Sequence, residues 1–387
     1  RLLRDPILSK AIIDHHGKAV YRGMVKAVDA IAVGSIPARD TAERFANWLR
    51  RGTTFSVMAY KAMTSLKQPF GLFSSVSQIG AYWTMKGVAR FLGNPARMNQ
   101  TMEWIHERSD FMRLRAKTFQ REINEVMNKV TLTGRLGVMQ KYAFWHIAKM
   151  QQVADAPTWV GAYEKAMHEQ GTPSSEAEAK EFEERAASLA DQAVRDSQGS
   201  GLAVDLSAAQ SGGPFYKFMS MFYTFGAARL NQAMKVIGRT HSAKDIPRLA
   251  GDLLPLYTIP ATLMYLMVQA LTDGDDDDQK ELAEKLVRAN IADAVGDVFF
   301  FREFAGAVQG FQYKGPAGFR LIDASVRLAQ QIEQGELDEG LLSAGGQALG
   351  IILRAPSGQI EATIRGLSAL DQGETENPAV VLTGIRR

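Results

Sequence analysis

The side chains able to do chemistry are thinly spread. There are six histidines. His15 and His16 are adjacent, so on a helix they point about 100° apart and cannot share a metal-binding face. His106-Glu107 opens like a zinc-protease helix, but Asp110 stands where that motif needs its second histidine. The run from Asp273 to Asp278 offers a candidate calcium loop. Asp273, Asp275 and Asp277 fit its first three ligand positions and Glu284 its twelfth, but Asp278 occupies the sixth, where the turn needs glycine. A solvated acidic cap or a topological stop is the preferred reading of that run. No phosphate-cradling loop or nucleophile elbow occurs, and Gly199-Ser200-Gly201 lacks the third glycine of a dinucleotide fingerprint. Paired carboxylates such as Glu183-Glu184 carry no sign of a desolvated acid beside an ionised partner. With no cysteine in the chain, thiolate sites and disulfides are excluded. The expectation is a non-catalytic chain without a cofactor.

The elements that would position any site are helical. Strand signals are scarce and no Asn-Gly hairpin turn occurs. Hydrophobic residues make up 46% of the 387, enough for a sizeable core, and a net charge of +3 does not imply a generic nucleic-acid coat. The chain begins at Arg1 with no signal pattern, which reads as a boundary inside a longer polypeptide.

Helices are expected from Ile7 to Leu49 with a joint at Gly34–Pro37, where Asp40 or Thr41 caps a new start. Gln68–Met85 carries no charge and reads either as an interfacial helix or, preferably, as a helix buried in a multimer. One long helix with a solvated, mixed-charge face is expected over Met98–Met127. Another is expected over Leu136–Ala154, and two more lie within Pro157–Arg195, on either side of Gly171–Ser175, with Ser175 as the second helix's cap. After a Gly/Ser-rich joint at Gln198–Pro214, further helices are expected at Lys280–Asn290, Phe319–Glu333 and Leu341–Leu353. In the last of these, Gly345-Gly346 would permit close helix approach. Val298–Phe311 is aromatic but interrupted by Arg302 and Glu303, and the tail from Asp371 reads as extended.

The most informative text lies between the joint and the acid run. Leu206–Lys244 has no acidic residue, but carries Lys217, Arg229, Lys235, Arg239 and Lys244. Phe215, Phe218, Phe222 and Phe225 recur within it at helical steps. Such a cationic aromatic helix suits a headgroup interface, and a core helix fits the periodicity equally well. Leu253–Thr272 follows, 20 uncharged residues close to the length that crosses a bilayer. Its apolar contacts would come from Leu253, Leu254, Leu256 and Tyr257, then from Leu263, Met264, Leu266 and Met267. Pro255 and Pro260 would kink it, and the basic flank would favour the cytoplasmic side. Membrane contact is preferred here over burial at a subunit core. The five cations would face DNA phosphates or anionic lipid.

Several spaced words carry a likeness. They are Asp155-Ala156-Pro157-Thr158-Trp159-Val160-Gly161-Ala162-Tyr163, Ala190-Asp191 through Asp205-Leu206-Ser207, Phe218–Phe225 with Asn231, Asp245-Ile246-Pro247-Arg248, and Ala355-Pro356-Ser357-Gly358-Gln359. Over roughly residues 145–365 their order resembles the C-terminal helical region of large bacteriophage ejection (internal virion) proteins and phage polyvalent proteins. That resemblance implies an oligomer stored in the virion interior and ejected to help build a conduit for DNA across the host cell envelope. Its partners would be other copies, other virion proteins, the host membrane and phage DNA. It transfers no catalytic residue, although some relatives carry peptidoglycan-degrading domains elsewhere. A segment of such an enzyme, a soluble virion scaffold and a delivered pore-forming toxin are the rival readings.

The expected fold is mainly α, an extended multi-helix assembly with one strongly hydrophobic helix and little or no β. Its expected regions are 1–93, 94–197, 198–252, 253–311 and 312–387.

Overall fold

A computed structural model describes residues 5–33, 41–118, 123, 126, 138, 142–202, 205, 220, 221, 223–271, 279–296 and 339–384. Helices take up 85% of the structure and no strand occurs among the described residues, so the fold is mainly α as expected. The expected joint at Gly34–Pro37, the segment Val298–Phe311 and the helix at Phe319–Glu333 lie outside the described residues.

Helices α1 (Pro6–Val33) and α2 (Thr41–Met58) open the chain, and Gly17 kinks α1 with a φ of 85°. The uncharged stretch from Gln68 is not one helix. After α3 (Ala62–Lys67) a 3-10 turn at Gln68–Phe70 leads into α4 (Gly71–Ile79). The chain turns at Gly80 (φ 91°), a backbone region that favours glycine, and continues as α5 (Ala81–Leu92). Both helices pack on this chain's own α8 (Trp145–Gln170), so burial here needs neither lipid nor a second copy.

The long charged helix expected from Met98 is also broken. α6 (Met98–Arg108) stops at Ser109, whose backbone is extended, and α7 (Asp110–Thr118) starts anew. Ser109 Oγ accepts from the Met112 amide at 2.9 Å, an N-cap, and donates to Asp191 at 2.5 Å. Arg113 does pair with Asp110 on an exposed face, as the charge pattern suggests. Arg115 does not, because it is almost completely buried.

α8 is the axis of the largest core. It runs through Pro157, which cannot donate to the Val153 carbonyl, and is buried on every side from Ala154 to Tyr163. Small residues make that enclosure possible. A Cβ at Gly87 would collide with the Pro157 carbonyl oxygen, and one at Gly161 with the Trp83 carbonyl oxygen, so α5 crosses α8 backbone to backbone. Trp159 is fully buried, stacks on Tyr163 and meets Trp104 edge-on. α9 (Glu176–Gln198) closes the other side, capped by Ser175, which accepts from the Glu178 amide as expected. The break at Asn94-Pro95 falls inside this core: Ile79 and Phe91 before it pack with Ile105, Phe111 and Trp159 after it.

The chain continues through α10 (Thr224–Gly238) and α11 (Ile246–Leu253), a π turn at Leu254–Thr258, α12 (Ile259–Leu271) and α13 (Gln279–Gly296). The last helices are α14 (Glu339–Leu353), α15 (Ser357–Asp371) and the short α16 (Val380–Thr383). They return to the start of the chain: α14 packs on α2, and Lys61 Nζ donates to the Gly358 carbonyl at 3.0 Å. Close approach occurs at Gly350 against Ser357, whereas Gly346 faces open space. The tail is folded back, not extended, with Val380 and Thr383 buried against α15.

Candidate membrane-contacting surface

One helical stretch among the described residues, Ala243–Ala270, is long and apolar enough by length and composition to cross a membrane. Only 22% of its most apolar window is buried. A core helix of the same composition would be mostly buried, so the low value leaves apolar surface to be explained.

The stretch is assembled in pieces. Ser242 and Asp245 form a capping box ahead of α11, and Pro247 sits in its first turn, where a missing amide costs little. Pro255 and Pro260 then fall where an α-helix would need their amides. The backbone answers with the π turn, in which the Ile259 amide reaches back five residues to the Leu254 carbonyl. Pro260 cannot donate to the Leu256 carbonyl. That oxygen lies 3.5 Å from Arg229 Nη1 of α10. The Arg229 guanidinium also sits 4.8 Å from the Tyr257 ring centroid and 5.7 Å from that of Phe225. A cation thus fills in for the amide that proline lacks, between two aromatic faces.

The candidate residues therefore divide. Leu256 is fully buried and packs the π turn towards α4, while Leu253, Tyr257, Met264 and Met267 are half-buried. Leu254, Ile259, Leu263 and Leu266 are exposed. Phe225 is half-buried, and Phe215, Phe218, Phe222 and Lys217 lie outside the described residues.

The cations expected to meet phosphates divide as well. Arg229 is only 6% exposed and is engaged inside the chain, which corrects its reading as a surface contact. Lys235 is exposed but pairs with Asp196 at 2.9 Å. Asp196 also accepts from Gln78, Gln192 and, through its backbone carbonyl, Gln232, so it fastens α10 to α9. Arg239 and Lys244 are exposed and are joined by Arg248, which stands 3.8 Å from Asp252 in a solvated pair.

Of the candidate calcium ligands, Asp273, Asp275 and Asp277 lie outside the described residues. Glu284 is exposed and pairs with Arg288 at 2.5 Å. α13 already begins at Gln279, the seventh position of the supposed loop, so Glu284 is a helix-surface residue. No group of three or more His, Asp or Glu side chains placed to hold a metal occurs among the described residues.

A second polar constellation was missed by the sequence reading. Arg115 Nε and Nη2 donate to the two carboxylate oxygens of Asp155 at 2.9 and 3.2 Å, and Nη1 donates to the Gly199 carbonyl at 2.6 Å. Gln151 donates to Asp155, and Gln198 donates to the Gly71 carbonyl and Ser75 Oγ, with Ser75 Oγ 2.5 Å from Thr158 Oγ1. All six side chains are buried. Asp191 stands nearby, accepting from Ser109 and from the Trp159 indole; its burial pushes its carboxyl above the ordinary range, although those bonds and Arg195 pull it down. The Arg115–Asp155 network joins α4, α7, α8 and the turn after α9. Its members are bonded to one another, which makes it a clamp for the core. The signal available beforehand was Asp155 within an otherwise apolar word, since a lone carboxylate there must find a cation.

Searches of family models, of curated proteins and of solved structures return no significant match to this chain. The likeness to phage ejection proteins therefore rests on the sequence words alone.

Proposed function

We propose that this chain is a non-catalytic helical subunit of a phage internal virion or ejection protein, which meets a membrane and other subunits while helping to form a conduit for DNA across the host envelope. The observation that carries the reading is the exposed apolar side of Ala243–Ala270, with Leu254, Ile259, Leu263 and Leu266 facing outward. Exposed Arg239, Lys244 and Arg248 at its basic end suit an anionic headgroup layer, where each cation near the surface contributes about 1 kcal/mol.

Contact with other copies has separate support. α14 and α15 expose Leu349, Ile352 and Leu353, then Ile360, Ile364 and Leu367, each set at helical spacing. Exposed apolar rows of this kind suit contact with a further protein surface.

Vesicle flotation tests the reading. The full chain is expected to float with anionic phospholipid vesicles at low salt, and less completely at high salt. Recovery wholly in the soluble fraction at every salt concentration removes the membrane contact and leaves the soluble scaffold as the better account. Cleavage of peptidoglycan by this chain would replace the reading with an enzymatic one.

A further inference from the structure

We infer that the second half of α1, residues 18–33, is a separate membrane-contacting element, an amphipathic helix that lies in the plane of an anionic bilayer. It gives the chain a second contact and stands independently of the Ala243–Ala270 surface.

Gly17 sets this helix apart. Its φ of 85° interrupts α1, so residues 18–33 keep a helical phase of their own. Among the described residues no helix packs along α1. Val20, Met24 and Val28 recur at every fourth residue, which places them in one row, and they are 48%, 41% and 48% exposed. Tyr21 and Val25, on the flank of the row, are half-buried. Ala27 and Ile31 take positions in the same sector as the row. Lys18 and Arg22 are exposed and stand across the helix, each about 160° round from the row residue two places further on. Lys26 and Asp29 take positions in that same cationic sector. Residues 18–33 thus hold three cations and one acid, all opposite the apolar row, and no charged position interrupts the row.

This segregation fits lipid better than a second copy. At 1.5 Å per residue the helix extends about 24 Å, and its apolar strip is about 10 Å wide, so it offers on the order of 250 Å². A stable protein interface needs roughly 800 Å² from each partner. A bilayer sets no such threshold, because apolar burial and attraction to anionic headgroups add together. The same length disfavours crossing: the hydrocarbon is roughly 30 Å thick, and Lys18 and Arg22 would have to enter it. In the plane of the membrane, Val20, Met24 and Val28 reach the acyl boundary while Lys18 and Arg22 stay on the water side, within the field of the headgroups.

The absence of cysteine makes the test direct. Single variants Met24→Cys, Val28→Cys and Arg22→Cys are prepared in the full chain, with helix content checked by circular dichroism, and each is labelled with an environment-sensitive dye. Phosphatidylglycerol-containing vesicles should shift the dye to the blue at Met24 and Val28, and much less at Arg22. Shallow lipid-borne quenchers should quench the Met24 site better than deep ones. In the unlabelled chain, Met24→Gln combined with Val28→Gln should weaken vesicle binding about tenfold. The shift at Met24 should persist in a chain that also carries Leu263→Gln and Leu266→Gln, which separates the two contacts. Flotation of the chain with no shift at Met24 or Val28 overturns this inference and leaves the Ala243–Ala270 contact standing. Equal shifts at Arg22 and Met24 overturn the one-sided geometry. Failure of the parent chain to bind vesicles removes both contacts. A blue shift at Met24 that needs no lipid and tracks protein concentration assigns the row to a second copy and also overturns the inference.

Discussion

Replacing Leu263 and Leu266 together by glutamine should weaken vesicle binding about 30-fold without unfolding the chain. Four side chains make up the exposed apolar side of the stretch: Leu254, Ile259, Leu263 and Leu266. They are between 38% and 46% exposed. Complete burial of a side chain of this size contributes about 2 kcal/mol, so lipid can still add about 1 kcal/mol at each. Together they offer roughly 4 kcal/mol, about three orders of magnitude in partitioning. Two glutamines remove about 2 kcal/mol of this, hence about 30-fold. Glutamine is chosen over lysine because a lysine near an anionic surface would restore about 1 kcal/mol. It is also a good helix former, and both sites already face outward, so the melting temperature should barely move. The assay is a binding isotherm against vesicles of fixed anionic content, with circular dichroism of each protein. A loss under about threefold in a fully helical double variant would refute the assignment of this face to lipid.

Lys244→Gln combined with Arg248→Gln should lower binding to anionic vesicles by about 2 kcal/mol and leave binding to neutral vesicles unchanged, as titration of the two lipid mixtures will show. Asp155→Ala strands the buried Arg115 guanidinium and should cost about 3–5 kcal/mol in urea unfolding. Gly87→Ala forces α5 away from the Pro157 carbonyl and should cost about 1–3 kcal/mol, read as a lower denaturation midpoint at unchanged slope. Asp191 supplies a pH test. Its folded-state carboxyl titrates above the ordinary range because of burial, so the folded state binds the proton more tightly than the unfolded chain. Its contribution is therefore most favourable in acid and is lost as pH rises from the ordinary carboxylate range through the raised value. Asp191→Asn keeps an acceptor for Ser109 and Trp159 and should flatten that part of the stability–pH curve; an unchanged curve would exclude Asp191 as its source.

The helical class and several caps were legible because they depend on local chemistry. Ser175 heads an acid-rich first turn, and a serine there has one obvious use. The apolar stretch at Leu253 was legible for the same reason, since hydrophobicity needs no partner to be recognised. What could not be read depended on residues far apart in the chain. Ser109 looks like an ordinary polar residue on the face of a long helix until Asp191 is placed beside it. Arg115 sits among exposed cations in sequence, and only the packing of α7 against α8 turns it towards Asp155. Arg229 misled in the same way: its neighbours Arg239 and Lys244 face solvent, whereas it fills the hydrogen-bonding gap left by a proline in another helix. The glycine pair at 345–346 was a plausible contact, but Gly346 meets open space and Gly350 is the glycine pressed against Ser357, at the turn into α15.

The guanidinium under the π turn also makes two distant parts of the chain mechanically one. Arginine keeps its charge at any pH a cell or virion experiences. Lifting the apolar stretch away would take the Leu256 carbonyl and the Tyr257 ring from that charge. The helix that carries it is bolted to the core through Asp196. A pull applied at the greasy end is therefore transmitted to the main bundle, which would move with its anchor as a loaded lever moves with its pivot.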